Sequence, residues 1–174
     1  NWISFNVDPE DASLASVLAT VGETATFINS QSSGTATNYG AYGWYGGLTE
    51  LDPTQMYLLE MSEAATLTVT GVPVDVASRP IDLISGWNWI GYLPQNSGDV
   101  ATALESVGDL ATFINSQSSG TATNYGAYGW YGGLTTLEPG SGYLLDMSDA
   151  GTLTYPEFDA LARVDANKQE VVLK

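Results

Sequence analysis

A stretch of twenty-five residues occurs twice in this chain without a single change. Ala25–Thr49 reads ATFINSQSSGTATNYGAYGWYGGLT, and the same letters return as Ala111–Thr135. A period of about 86 residues is too long for a small solenoid repeat and suits a compact module with its own core. The match extends outward with substitutions. Leu51-Asp52-Pro53 answers Leu137-Glu138-Pro139, Tyr57–Ser62 answers Tyr143–Ser148, and Thr66-Leu67-Thr68 answers Thr152-Leu153-Thr154. Upstream, Asn1-Trp2-Ile3 answers Asn88-Trp89-Ile90, one residue out of phase. The expected organisation is therefore a repeat module over 1–80 and a second over 81–160. Residues 161–174 form a C-terminal tail or closing strand, with Glu170 to Leu173 as its strand-like part. The chain is expected to be a piece of a longer array.

Within each copy, patterning predicts a β-rich module with one short helix. Ile3, Phe5 and Val7 alternate with Trp2, Ser4 and Asn6, which is strand periodicity. Leu14, Val17, Leu18 and Val21 then recur at helical spacing and stop at Gly22; Val100, Ala103, Leu104 and Val107 do the same before Gly108. Asp8, Pro9 and Asp11 fit a helix N-terminus. Further strands are expected at Thr24–Ile28, Met56–Met61, Thr66–Val69 and Val72–Val76. Ile81–Ile84 and Trp87–Tyr92 are expected to form a hairpin across Ser85-Gly86, so that residues 81–92 bridge the two modules. The fold class is mainly β, two tandem similar modules, each a barrel or a sandwich.

Composition narrows the chemistry. The chain carries 20 acidic and 4 basic residues, a net charge of −16, which disfavours binding to nucleic acid or to anionic membranes. No stretch is long and apolar enough for membrane insertion. Cysteine and histidine are both absent, so thiolate and imidazole metal sites and the Ser/His/Asp or Cys/His catalytic arrangements are excluded. Paired carboxylates could still cleave glycosides; Asp52 with Glu60, answered by Glu138 with Asp146, are the candidates. An Asp/Glu exchange between copies shifts each carboxylate by about one methylene, a displacement that catalysis tolerates poorly. No catalytic residue is assigned and no cofactor is expected. Asp8, Glu10 and Asp11, or Asp146 and Asp149, could contribute oxygens to Ca²⁺, but no Ca²⁺-loop pattern surrounds them.

The repeated motifs carry a resemblance. Gly86-Trp87-Asn88-Trp89-Ile90-Gly91, with Trp2-Ile3-Ser4 in the first copy, resembles the Gly-Trp-Asn-x-Ile-Ser/Gly tandem repeats of large secreted bacterial and archaeal surface proteins. Leu137-Glu138-Pro139-Gly140-Ser141-Gly142-Tyr143 and Thr66-Leu67-Thr68-Val69-Thr70-Gly71 stand in the order those repeats show. The first copy departs at Thr54-Gln55-Met56, where the glycines are missing. The resemblance implies an extracellular or cell-surface, multi-domain parent and brings no catalytic residues with it.

Two functions remain open on this reading. One is a non-catalytic structural or adhesive repeat whose partners are neighbouring repeats or another surface protein. The other is a carbohydrate-binding module that takes polysaccharide on Tyr39, Tyr42, Trp44 and Tyr45 and on Tyr125, Tyr128, Trp130 and Tyr131. Aromatic faces stack on sugar rings, and Asn29, Gln31 and Asn38 could bond hydroxyls. The competing explanation is that Trp2, Trp44, Trp89 and Trp130 simply fill the cores, each burial contributing ~2–3 kcal/mol. The tyrosines are the more exposed set on this expectation.

Overall fold

The computed structural model describes residues 1–158 and 167–174. Its strands, in order, are β1 (Trp2–Ile3), β2 (Val7–Asp8), β3 (Ala25–Ser30), β4 (Thr35–Asn38), β5 (Trp44–Gly46), β6 (Tyr57–Met61), β7 (Ala65–Thr70) and β8 (Val72–Pro73) in the first copy. The second copy supplies β9 (Ile81–Leu83), β10 (Gly86–Gly91), β11 (Gly98–Asp99), β12 (Ala111–Ser116), β13 (Gly120–Asn124), β14 (Trp130–Gly132), β15 (Thr136–Leu137), β16 (Gly142–Met147) and β17 (Gly151–Leu153). The last strand is β18 (Lys168–Leu173). Each copy has one α-helical turn, α1 (Leu14–Val17) and α2 (Val100–Ala103).

The two copies build the same sheet. The strand orders are β1-β6-β3-β4-β5 and β10-β16-β12-β13-β14, every pairing antiparallel. Among the described residues no sheet closes into a barrel; each is open and covered on one face, so the fold is mainly β and sandwich-like. In the first copy Ile3, Ile28, Tyr57 and Leu59 face inward against Leu14, Val17 and Leu18 of the helical turn and Leu67 and Val69 of β7. The second core repeats this with Ile90, Ile114, Tyr143 and Leu145 against Val100, Ala103, Leu104 and Leu153.

Both helical stripes are buried as their spacing predicts, but both helices are shorter than their stripes and the first starts later than expected. Ser13 and Asp99 are the N-caps, accepting from the N–H of Ser16 (3.4 Å) and Thr102 (2.9 Å). Asp8 lies in β2 and is held by Arg79 at 2.9 Å, while Asp11 accepts from Ser13 N–H at 2.9 Å in a turn. Local side-chain acceptors decide where such short helices begin, and several Asp and Ser in a row offer more than one start.

The expected hairpin over 81–92 is replaced by a different ladder. β9 pairs with β17, and β10 with β16. Asn88 makes the corner between β9 and β10: its Oδ1 accepts Ile84 N–H at 2.9 Å and its Nδ2 donates to the carbonyls of Ile84 (2.8 Å) and Gly86 (2.9 Å). Ile81 and Leu83 consequently point into the second core. Similarly, β6 and β7 are not each other's partners, because β7 pairs with β18, with Val171 opposite Leu67 and Leu173 opposite Ala65.

The copies interlock around a pseudo-twofold axis. Ser4 N–H donates to the Gly140 carbonyl (3.1 Å) and Gly91 N–H to the Thr54 carbonyl (2.9 Å), and these are corresponding positions. Trp2 N–H donates to Gln117 Oε1 (2.7 Å), and Trp89 N–H donates to Gln31 Oε1 (2.7 Å). Ser4 and Asn6, the polar members of the expected strand alternation, are buried here. Ser4 Oγ donates to the Ser141 carbonyl (2.7 Å) and accepts Tyr92 N–H (3.1 Å); Asn6 Nδ2 donates to the Pro94 carbonyl (2.9 Å). The strand expected through these positions is broken: residues 4–6 lie between β1 and β2, where the polar side chains bond the neighbouring copy.

Candidate functional site: paired tyrosine clusters on the outer sheet edges

The sheet has two edges with different fates. β1 and β10 meet the opposite copy, whereas β5 and β14 lie at the far edges. The far edge is shaped by the turn between β4 and β5. Tyr39 N–H donates to the Gly43 carbonyl (2.9 Å), and Gly43 N–H returns to the Gly40 carbonyl (2.8 Å). Gly40 and Gly43 have φ of 63° and 80°, values that a side chain disfavours. Asn38 anchors the turn from below: Nδ2 donates to the Ala25 carbonyl (2.8 Å) and Oδ1 accepts Gly40 N–H (3.0 Å). Gly46 lies so close to Thr35 and Ala36 that a Cβ there would overlap their backbone.

On this turn Tyr39, Tyr42 and Tyr45 are 61%, 82% and 60% exposed. Their copies Tyr125, Tyr128 and Tyr131 are 60%, 81% and 61% exposed. Tyr39 and Tyr45 meet edge to face at 5.8 Å, and Tyr125 and Tyr131 at 5.9 Å. Trp44 and Trp130 turn the other way and pack, half-buried, on the two cores. Of the eight aromatic candidates, then, the structure gathers six tyrosines into two exposed clusters and places the tryptophans beneath them. The largest buried rings are Tyr57, Tyr92, Tyr143 and Phe5 rather than tryptophans.

Register adds residues that the linear motif does not reveal. Tyr45 faces Thr37, Thr37 faces Phe27, and Phe27 faces Glu60 across successive strands, so these side chains share one row on the outer face. The second copy aligns Tyr131, Thr123, Phe113, Asp146 and Trp87 in the same way. Trp87 is 49% exposed and meets Phe113 edge to face at 5.9 Å. Neither Phe27 nor Trp87 is marked as outward by the linear pattern; placing them in line with Tyr45 and Tyr131 takes the strand order.

Other polar candidates are committed to the fold. Gln31 Nε2 donates to the Trp87 carbonyl (2.7 Å), and the Asn38 amide is used within the turn. Asp52 Oδ1 accepts the N–H and hydroxyl of Thr54, each at 2.8 Å, in the turn before β6, while Glu60 lies near the strand's other end. In the second copy Asp146 Oδ2 accepts the Thr112 hydroxyl at 3.0 Å. Among the described residues no three carboxylates gather closely enough to hold a metal ion, so the oxygens of Asp8, Glu10 and Asp11, and those of Asp146 and Asp149, do not form a cage.

The groups whose protonation the fold does shift are structural. Backbone and side-chain hydrogen bonding by Ser13 holds the Asp11 carboxyl below its usual value, and Thr102 does the same for Asp99. Burial pushes Tyr57 up to about 12 and raises Tyr92, Tyr143 and Tyr155. The hydroxyls of Tyr57 and Tyr143 accept the N–H of Asp52 and Glu138, each at 2.7 Å, pinning the turn ahead of β6 and β16. Next to Arg79 lies a groove of about 430 Å³ lined by Asp8, Glu50 and Asp52, but Arg79, the one basic residue among its described lining residues, is already paired with Asp8.

No family model, curated protein or solved structure matches this chain.

Proposed function

We propose that this chain is a non-catalytic structural and adhesive unit of a larger extracellular or cell-surface protein, presenting two identical tyrosine clusters on a rigid interlocked pair of modules. The observation that carries this reading is the contrast between the sheet edges. One edge of each copy is consumed by the partner copy, while the other displays three tyrosines at 60–82% exposure in the same geometry twice. Exposed rings of this size add nothing to a core, and contiguous aromatic surface favours contact with something else. Of the carboxylates considered for glycoside cleavage, Asp52 serves a turn and Asp146 a hydroxyl contact, which supports a binding role over a catalytic one. The motif resemblance to repeats of secreted surface proteins points the same way.

The tyrosine rows favour polysaccharide as the adhesive ligand. Tyrosine combines an apolar face with a polar tip and loses little conformational entropy on binding, and two copies on one polymer would raise avidity. A polysaccharide pull-down and a glycan array test this reading. Retention is expected for the wild type and is lost in Tyr42→Ala/Tyr128→Ala with circular dichroism unchanged. Retention unaffected by that double variant would contradict the assignment of the clusters, and turnover of any retained glycan would contradict the non-catalytic reading.

A further inference from the structure

Each tyrosine turn has a carboxylate set against it. The segment Gly22–Thr24 packs beside Gly40–Tyr42, and Asn38 ties the two together, its Nδ2 donating to the Gly22 carbonyl at 3.2 Å. A Cβ built at Gly40 would lie 3.5 Å from the Glu23 carboxyl, and one at Gly126 would lie 3.9 Å from the Asp109 carboxylate. Each outer row carries a second carboxylate: Glu60 in line with Tyr45, Thr37 and Phe27, and Asp146 in line with Tyr131, Thr123 and Phe113. Three strand spacings put it ~14 Å from the tyrosine. Glu23 and Asp109 are exposed, and neither forms an ion pair with a described residue; Arg79 pairs with Asp8 and Lys168 with Glu170.

The copies show which property of these acids matters. Glu10 becomes Asn96 and Glu50 becomes Thr136, so acidity is not kept everywhere. Glu23 becomes Asp109 and Glu60 becomes Asp146, beside tyrosines that are identical in both copies. The charge is kept while the reach of the side chain is not. Catalysis suffers from a displacement of that size, whereas a charge attracting another over several ångströms does not.

A tyrosine face attracts a cation through the ring quadrupole, and a neighbouring carboxylate adds to that attraction. An acidic polymer meets the opposite, repulsion from these carboxylates and from a chain of net charge −16. Resting on the polysaccharide reading above, we propose that the ligand is a cationic polysaccharide whose sugars carry free amino groups. Its ammonium groups are drawn to the tyrosine turns by Glu23 in the first copy and Asp109 in the second. Glu60 and Asp146 attract further ammonium groups where the polymer crosses the strands.

The test measures binding of the full chain to a glucosamine polymer and to the same polymer after N-acetylation, which removes the charge and keeps the backbone. Tighter binding of the amine form, weakening as salt rises, is expected. Glu23→Gln/Asp109→Asn is expected to weaken that binding about threefold to tenfold and to leave the acetylated polymer unaffected. Glu10→Gln/Glu50→Gln removes the same charge from two other grooves and serves as the control. Equal affinity for the two polymers would overturn the proposal, and that comparison needs no variant. So would a loss in the control as large as in Glu23→Gln/Asp109→Asn, or polylysine bound as tightly as the glucosamine polymer. The underlying reading fails separately, when Tyr42→Ala/Tyr128→Ala leaves retention of both polymers unchanged.

Discussion

The two copies share an unbroken stretch of twenty-five identical residues and match only with substitutions around it, which separates what the repeat dictates from what its setting dictates. Inside the identical segment the geometry is the same: Gly40 and Gly126 have φ of 63° and 62°, Gly43 and Gly129 both 80°. At the flanks the copies diverge. At the seam, Ser4 stands where the second copy has Gly91. The serine bonds Ser141 and Tyr92, while the glycine lies so close to Pro53 that its backbone carbonyl would overlap any added Cβ. Local chemistry fixes the tyrosine turn twice over; the seam is fitted side by side and is only approximately symmetric.

The largest effect is expected from the cores. Leu59→Ala and Leu145→Ala remove equivalent, fully buried side chains, and each is expected to cost about 2–5 kcal/mol. Calorimetry then asks whether the copies are one cooperative body: a single shifted transition supports the interlock, and an early transition confined to the substituted copy breaks it. Gly91→Ala comes next, at about 1–3 kcal/mol for overpacking the seam. Ser4→Ala is expected to cost about 1–2 kcal/mol, since it leaves Tyr92 N–H unpaired. Chemical denaturation of both variants measures how unequal the two halves of the seam are.

Alkaline pH compares the cores in another way. A tyrosine whose folded pKa is raised stabilises nothing extra below its unfolded value near 10; above it the unfolded chain ionises first, so stability falls until the folded pKa is passed. For Tyr57 that window runs from about 10 to about 12. The second core holds three raised tyrosines, Tyr92, Tyr143 and Tyr155, so it is expected to yield first. Tyr155→Phe should therefore delay alkaline unfolding, followed by circular dichroism and tyrosinate absorbance, more than Tyr57→Phe does. Smaller again is the glutamine pair. Gln31 bonds the Trp87 carbonyl and the Trp89 N–H at the β10 edge, and Gln117 accepts the Trp2 N–H of β1, so Gln31→Ala and Gln117→Ala should each cost about 1–2 kcal/mol.

How far the sequence reaches is visible in these same elements. Exact repetition and the buried stripes Leu14/Val17/Leu18/Val21 and Val100/Ala103/Leu104/Val107 make the modular, mainly β architecture legible, since burial imposes periodicity. Ser85-Gly86 between two apolar runs reads as a hairpin, yet Asn88 turns the chain away, because one side-chain amide can satisfy the backbone groups a ladder would have used. The burial of Ser4 and Asn6 is not legible, for want of any linear sign that a second copy covers them. The tyrosine turn is legible from its glycines, and its extension through Thr37 and Phe27 is not, because neighbours across strands are set by topology rather than by spacing.

The account depends on the first copy being closed by β18 from beyond the second, in the register by which β9 closes the second. Hydrogen–deuterium exchange on the intact chain measures this directly, comparing β18 and β7 with β9 and β17. Matching slow exchange at Val171 and Leu173 and at Ile81 and Leu83 is the predicted result. Exchange of the β18 amides at the rate of an unstructured peptide, with β9 still protected, would contradict it.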